Sequence, residues 1–180
     1  MAKILAEKGL FVVSADEIAR QVIEPGGAAY LDVIHHFGNG ILKDDGRIDR
    51  GKLGAIVFSD EKARKDLESF VHPKVFMLIH QRIVQSRKEG LSHLIVEIPL
   101  LFEVNCGYLF DKIWVVSCSP EIQLGRVQNR DHLTEAEARQ RIDAQLPLPY
   151  KEAKADAVIY NNQGYLELLA QVEQMIKSLE

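Results

Sequence analysis

The sequence is poor in cysteine, in tryptophan and in long apolar runs. It has two cysteines, Cys106 and Cys118, and one tryptophan in 180 residues. Two cysteines make no disulfide framework. His35, His36, His80, His93 and His132 show no metal-ligand spacing with them. No metal site is therefore expected, and the thiol usage fits a reducing cytoplasm. No apolar run approaches the ~20 residues of a membrane span. Positive charge is also short: 22 Lys and Arg stand against 26 Asp and Glu, a net charge of −4. Proteins that act on nucleic acid or anionic membranes carry clustered positive charge, so neither partner is expected. A small basic pocket stays compatible with this balance.

What is present is ordinary for a globular protein: 47% hydrophobic and 27% charged residues. A chain of this length reads as one domain over residues 1–180 and buries a core without staples. Met1 to Lys8 reads as helix stopped by Gly9. Leu10 to Val13, Leu94 to Ile98, Lys112 to Ser117 and Ala157 to Tyr160 are short apolar runs suited to buried parallel strands. Helices are predicted from about Glu17, over Ala28 to Phe37 and Arg50 to Phe58, and from a Ser59 cap to about Arg87 with a bend near Pro73. Ser119-Pro120-Glu121 opens a further helix. Thr134-Glu135-Ala136-Glu137 has capping-box form and opens the next. Gly164 to Leu179 closes the chain as an amphipathic helix. Strands separated by helices give an α/β fold with a parallel sheet. Ligands in such sheets sit beyond the carboxyl ends of the strands. The segments to read are thus Ser14 to Glu17, Pro99 to Glu103, Ser117 to Pro120 and Asn161 to Asn162.

One phosphate-loop match is a decoy. Gly46-Arg47-Ile48-Asp49-Arg50-Gly51-Lys52 follows the G-x-x-x-x-G-K pattern and then meets Leu53, which has no hydroxyl for a magnesium ion. Asp49 also places a carboxylate inside the anion cradle. A turn leading into a helix is the expected structure.

Asp16 lies where the first strand passes into a helix. Its carboxylate can act as general base on a substrate hydroxyl, or cap the helix. Arg20 lies one turn further on the same face, placed to pair with Asp16 or to meet a phosphate. Arg126 and Arg130 are spaced i, i+4 and share a face; Arg139 and Arg141 sit on the next helix. Converging guanidinium groups can neutralise a transferring phosphoryl group, or form a solvated charged face. His72 precedes Pro73 in an apolar-patterned helix and reads first as a structural residue.

Taken in order, several stretches resemble the dephospho-coenzyme A kinase family. They are Val13-Ser14-Ala15-Asp16-Glu17-Ile18-Ala19-Arg20, Glu24-Pro25-Gly26, Phe37-Gly38, and Asp45-Gly46-Arg47-Ile48-Asp49-Arg50 with Leu53 to Phe58. His72-Pro73, Ile98-Pro99-Leu100-Leu101-Phe102-Glu103, Arg126 to Asp131, Arg141, Gln145, and Ala155-Asp156 through Asn161 follow. The resemblance implies a P-loop kinase-like α/β fold, a three-layer parallel sheet. It implies ATP with Mg²⁺ and dephospho-coenzyme A as the small-molecule partners. It also implies transfer of the γ-phosphoryl group to the ribose 3′-hydroxyl, the last step of coenzyme A synthesis. Residues 23–90 then form a helical acceptor-binding insertion that contains the decoy, and residues 120–146 a lid. Asp16 matches the family's proposed base or hydroxyl-orienting aspartate, Arg20 and His72 acceptor-side positions, and Arg126, Arg130 and Arg141 the ATP-side lid.

Two departures accompany the match. The family usually shows D-A-D where this chain has Ser14-Ala15-Asp16, so the first acid is missing. Family members also begin with a strand and a G-x-T-G-G-x-x-S-G-K-S loop ahead of the helix that Met1 to Lys8 resembles; neither is in the sequence. The first expectation is an enzyme whose upstream codons supply that strand and loop. The alternative is a truncated, non-catalytic paralogue that binds a nucleotide or coenzyme A.

Overall fold

In the computed structural model, which describes residues 1–179, the chain packs as two compact units. One holds Gly9–Ile98, the other Met1–Lys8 together with the residues from Pro99 onward.

In the first of these, β1 (Phe11–Ser14) pairs in parallel with β2 (Leu94–Glu97), and Ser14 stands opposite Glu97 at their carboxyl ends. The chain leaves β1 directly into α2 (Ala15–Val22), because the Ser14 Oγ accepts a hydrogen bond from the Glu17 N–H at 3.4 Å. The helix therefore starts two residues earlier than the sequence suggested, and its cap is Ser14. Ala15, Ile18 and Val22 form its buried stripe, and it packs on the long helix α5 (Glu61–Lys88). The Glu24-Pro25-Gly26-Gly27 turn folds tightly back on α2. A Cβ at Gly27 would lie 2.4 Å from the Val22 carbonyl oxygen, so this position accepts no side chain.

Then follow α3 (Tyr30–Phe37), α4 (Arg50–Ser59) and α5 (Glu61–Lys88). The long helix runs through Pro73 as one element, although a proline there leaves the carbonyl four residues back without its N–H partner. Its cap is Asp60, whose Oδ1 accepts from the N–H groups of Lys62 and Ala63 at 2.8 and 3.2 Å. Ser59, the expected cap, instead donates its hydroxyl to the Ala55 and Ile56 carbonyls and so ends α4. Val33, Ile41, Leu53, Val75 and Ile79 are among the buried side chains of this unit.

In the other unit, β3 (Trp114–Ser117) pairs in parallel with β4 (Ala157–Tyr160). Around them lie α1 (Ala2–Glu7), α6 (Pro120–Asp131), α7 (Glu135–Asp143), α8 (Leu148–Ala153) and α9 (Tyr165–Lys177). Ser119 caps α6 with Pro120 at its first position. Thr134 and Glu137 form the expected capping box of α7. The α9 helix packs on α1 and β4, and Lys8 pairs with Glu173. The Gln171 side chain clamps the end of β4: it accepts from the Tyr160 N–H at 3.0 Å and donates to the Tyr160 carbonyl at 2.9 Å.

The strands are less buried than their apolar composition suggested. Phe11 is 48% exposed, Val116 40% and Tyr160 50%. Apolar runs of this kind belong to parallel sheets covered on both faces. Each sheet described here has two strands, which leaves part of that surface open.

Candidate active site

Asp16 and Arg20 lie on α2, both exposed, just beyond the carboxyl end of β1. Since Ser14 caps the helix, the Asp16 carboxylate has no capping bond to make. Among the described residues, neither Asp16 nor Arg20 takes part in an ion pair. Arg20 lines a cavity of about 260 Å³ in the same unit, and His72 of α5 lines it too. Much of the lining is apolar, from Ala19 of α2, Ile23 just after it, and Leu67 and Val71 of α5. Arg50 and Glu68 complete the wall. The His72 ring lies 6.1 Å from that of Phe76.

The decoy loop is a turn and helix start. Asp49 Oδ1 accepts from the Gly51 and Lys52 N–H groups at 2.9 and 3.2 Å. The Lys52 N–H foremost holds this carboxyl below its ordinary range. The donors that would cradle a phosphate are thus taken by the chain's own carboxylate.

In the other unit the arginines are held by partners. Arg126 Nη2 donates to Asn161 Oδ1 at 3.2 Å, just past the end of β4. Asn162 Oδ1 accepts from the Ser119 N–H at 2.7 Å, which ties the β4 end to the start of α6. Arg130 donates to both oxygens of Asp131 at 2.8 Å. Arg141 of α7 donates to the same carboxylate. The Arg130 hydrogen bond, with Arg141 behind it, holds the Asp131 carboxyl far below the usual carboxylate range. Asp131 therefore pins two guanidinium groups from two helices at one point.

A second cavity, of about 410 Å³, lies beside the β3 end, with Cys118, Gln123, Ile142, Gln145 and Lys151 in its wall. Lys151 is buried at 7% exposure. Its Nζ lies 2.6 Å from Glu103 Oε1 and 3.4 Å from Gln145 Oε1. Burial pushes the Glu103 carboxyl up, but the bonds from Lys151 and the Leu146 N–H outweigh it and hold it low. Among the described residues, its other oxygen is buried without a hydrogen-bond partner.

Among the described residues, no group of three or more histidine, cysteine or acidic side chains converges as a metal cage. Mg²⁺ commonly binds through one or two carboxylates with substrate phosphates, and that mode needs no cage.

The family model for dephospho-CoA kinase matches residues 1–167. The chain belongs to the dephospho-CoA kinase family. The dephospho-CoA kinase of Shouchella clausii is 43% identical over 162 residues, covering 90% of this chain and 82% of that relative. That of Oceanobacillus iheyensis is 42% identical, covering 98% of this chain and 89% of the relative. The solved dephospho-CoA kinase from Campylobacter jejuni superposes with a TM-score of 0.74 at 31% identity, covering 98% of this chain and 88% of that one. The α/β architecture with parallel strands is thus that of the P-loop kinase-like dephospho-CoA kinases.

Within this frame the structure brings Arg20 and His72 to one cavity, and Arg130 and Arg141 to one carboxylate. Asp16 stays outside the cavity wall, and Arg126 turns to Asn161. Sequence reasoning missed Asp131 as the shared anchor, Glu103 with Lys151, and Arg50 with Glu68 in the cavity wall. Local pattern gave no signal for the longer links, because Arg141 lies 10 residues from Asp131 and Lys151 lies 48 from Glu103.

Proposed function

We propose that this chain transfers the γ-phosphoryl group of ATP to the 3′-hydroxyl of dephospho-coenzyme A, giving coenzyme A and ADP. The observation that carries the reading is the family match over residues 1–167. In the step itself the ribose oxygen forms a bond to the γ-phosphorus. The bond to the β,γ-bridging oxygen breaks, and ADP leaves with that electron pair. The hydroxyl proton goes to Asp16, an exposed carboxylate free of capping and of ion pairs among the described residues.

Arg20 and His72 are proposed to contact the acceptor, and their shared cavity supports that assignment. Arg126, Arg130 and Arg141 are proposed to meet the ATP phosphates. The Asp131 anchor favours this, because it fixes two guanidinium forks before nucleotide arrives and so lowers the ordering cost of binding. Residues 23–90 are proposed as the acceptor-binding segment and 120–146 as the lid. Mg²⁺ is proposed to arrive on ATP, since no cage of side chains is preformed among the described residues. Ser14 leaves one carboxylate fewer beside it than the family's usual pattern. Among the described residues, no helix is long and apolar enough to cross a membrane. The cytoplasm is the proposed compartment.

The test is incubation with ATP and dephospho-coenzyme A, followed by chromatography of the products. Formation of coenzyme A in step with ADP is expected. ADP formed without it, or phosphorylation elsewhere on the acceptor, contradicts the assignment.

A further inference from the structure

Arg50 opens α4 and lines the cavity that also holds Arg20 and His72. Its Nη2 donates to Glu24 Oε1 at 2.7 Å. A guanidinium carries five N–H donors in a rigid fork, so one bond sets its plane and leaves the others for a ligand. The side chain is half exposed, which keeps those donors accessible. Ala19, Ile23, Leu67 and Val71 give the same cavity an apolar lining. An aimed guanidinium in the wall of a cavity with apolar lining suits an amphipathic anion better than a bare phosphate.

Dephospho-coenzyme A has such a region. Its diphosphate is followed by a gem-dimethyl carbon and then by two amides. We infer that Arg50 binds the diphosphate of the acceptor, aimed by Glu24, while the apolar lining takes the gem-dimethyl end of the pantetheine arm. Arg50 is a binding residue and Glu24 a positioning residue. Glu68, also in the wall, pairs with Arg64 at 3.8 Å; its carboxylate suits an amide N–H of the arm. This inference rests on the acceptor reading above.

Calorimetric titration of the 180-residue chain with dephospho-coenzyme A, and with adenosine as a probe lacking diphosphate and arm, tests it. Arg50→Met is expected to weaken dephospho-coenzyme A binding by roughly tenfold or more and to change adenosine binding by less than about twofold. Arg50→Lys is expected to recover only part of the loss, because an ammonium lacks the fork. Glu24→Gln is expected to weaken the acceptor alone. Melting curves on each variant separate these effects from misfolding. Unchanged dephospho-coenzyme A affinity in Arg50→Met overturns the inference, as does a parallel loss for both probes. A native chain that binds no dephospho-coenzyme A removes the acceptor reading itself, and the inference with it.

Discussion

The Lys151 ammonium lies 2.6 Å from the Glu103 carboxylate, at a position where Lys151 is only 7% exposed. Glu103 also accepts from the Leu146 N–H at 3.1 Å, so one side chain ties α8 and the loop before it to the residues after β2. Removing one member strands the other charge away from water. Glu103→Gln is expected to cost about 3 kcal/mol in denaturant unfolding, and Glu103→Leu with Lys151→Met to recover most of it. Since the folded carboxyl is held below its ordinary 4.5, its contribution is present above that pH and lost as pH falls through the folded value. A single substitution that costs nothing would show an ordinary surface pair.

Asp16 and Ser14 divide two tasks at the end of β1. Ser14 caps α2, so Ser14→Ala is expected to cost about 1 kcal/mol. Asp16→Asn is expected to leave the melting temperature nearly unchanged while lowering kcat by roughly 10²-fold or more. Steady-state kinetics beside a melting curve checks both. A kcat that survives Asp16→Asn removes the proton-accepting role.

Asp131 couples Arg130 to Arg141. Asp131→Asn weakens both charge-assisted bonds and is expected to raise KM for ATP more than it lowers kcat. The acid limb of stability is a second readout. The native carboxyl titrates far below its ordinary value of 3.8, so its stabilising contribution is full above that value and fades as pH falls below it. Melting temperatures from pH 5 downward are expected to converge between the native chain and Asp131→Asn at the acid end.

The G-x-x-x-x-G-K match at residues 46–52 is occupied by Asp49. Lys52→Ala is expected to leave ATP affinity unchanged, whereas Asp49→Ala is expected to lower stability through the lost cap. Titration calorimetry and denaturant unfolding read the two effects separately. Loss of ATP binding in Lys52→Ala would restore the phosphate-loop reading.

Much of this architecture was legible in local chemistry. Thr134 with Glu137 announces a helix start because a capping box links residues three apart, and Ser119 does so because Pro120 after it suits a first helical position. β4 matches its apolar run residue for residue. The errors are competitions between neighbours. Ser14 captured the cap offered to Asp16, and Asp60 the cap offered to Ser59. The α8 helix went unread because Pro147 and Pro149 argue for a loop, although proline is tolerated in a first helical turn. The order of motifs led to the family and to the candidate arginines. What holds those arginines was not legible. Arg141 meets Asp131 across a helix boundary, and Arg50 meets Glu24 across 26 residues, at distances no local pattern encodes.

The most direct measurement is the fate of the γ-phosphoryl group. The chain is incubated with γ-labelled ATP and dephospho-coenzyme A, and the acceptor position is located by mass spectrometry. The expected result is label on the ribose 3′-oxygen, with one ADP formed per coenzyme A. Nucleotide or coenzyme A bound without any transfer would contradict it and would favour a binding protein built on the same fold.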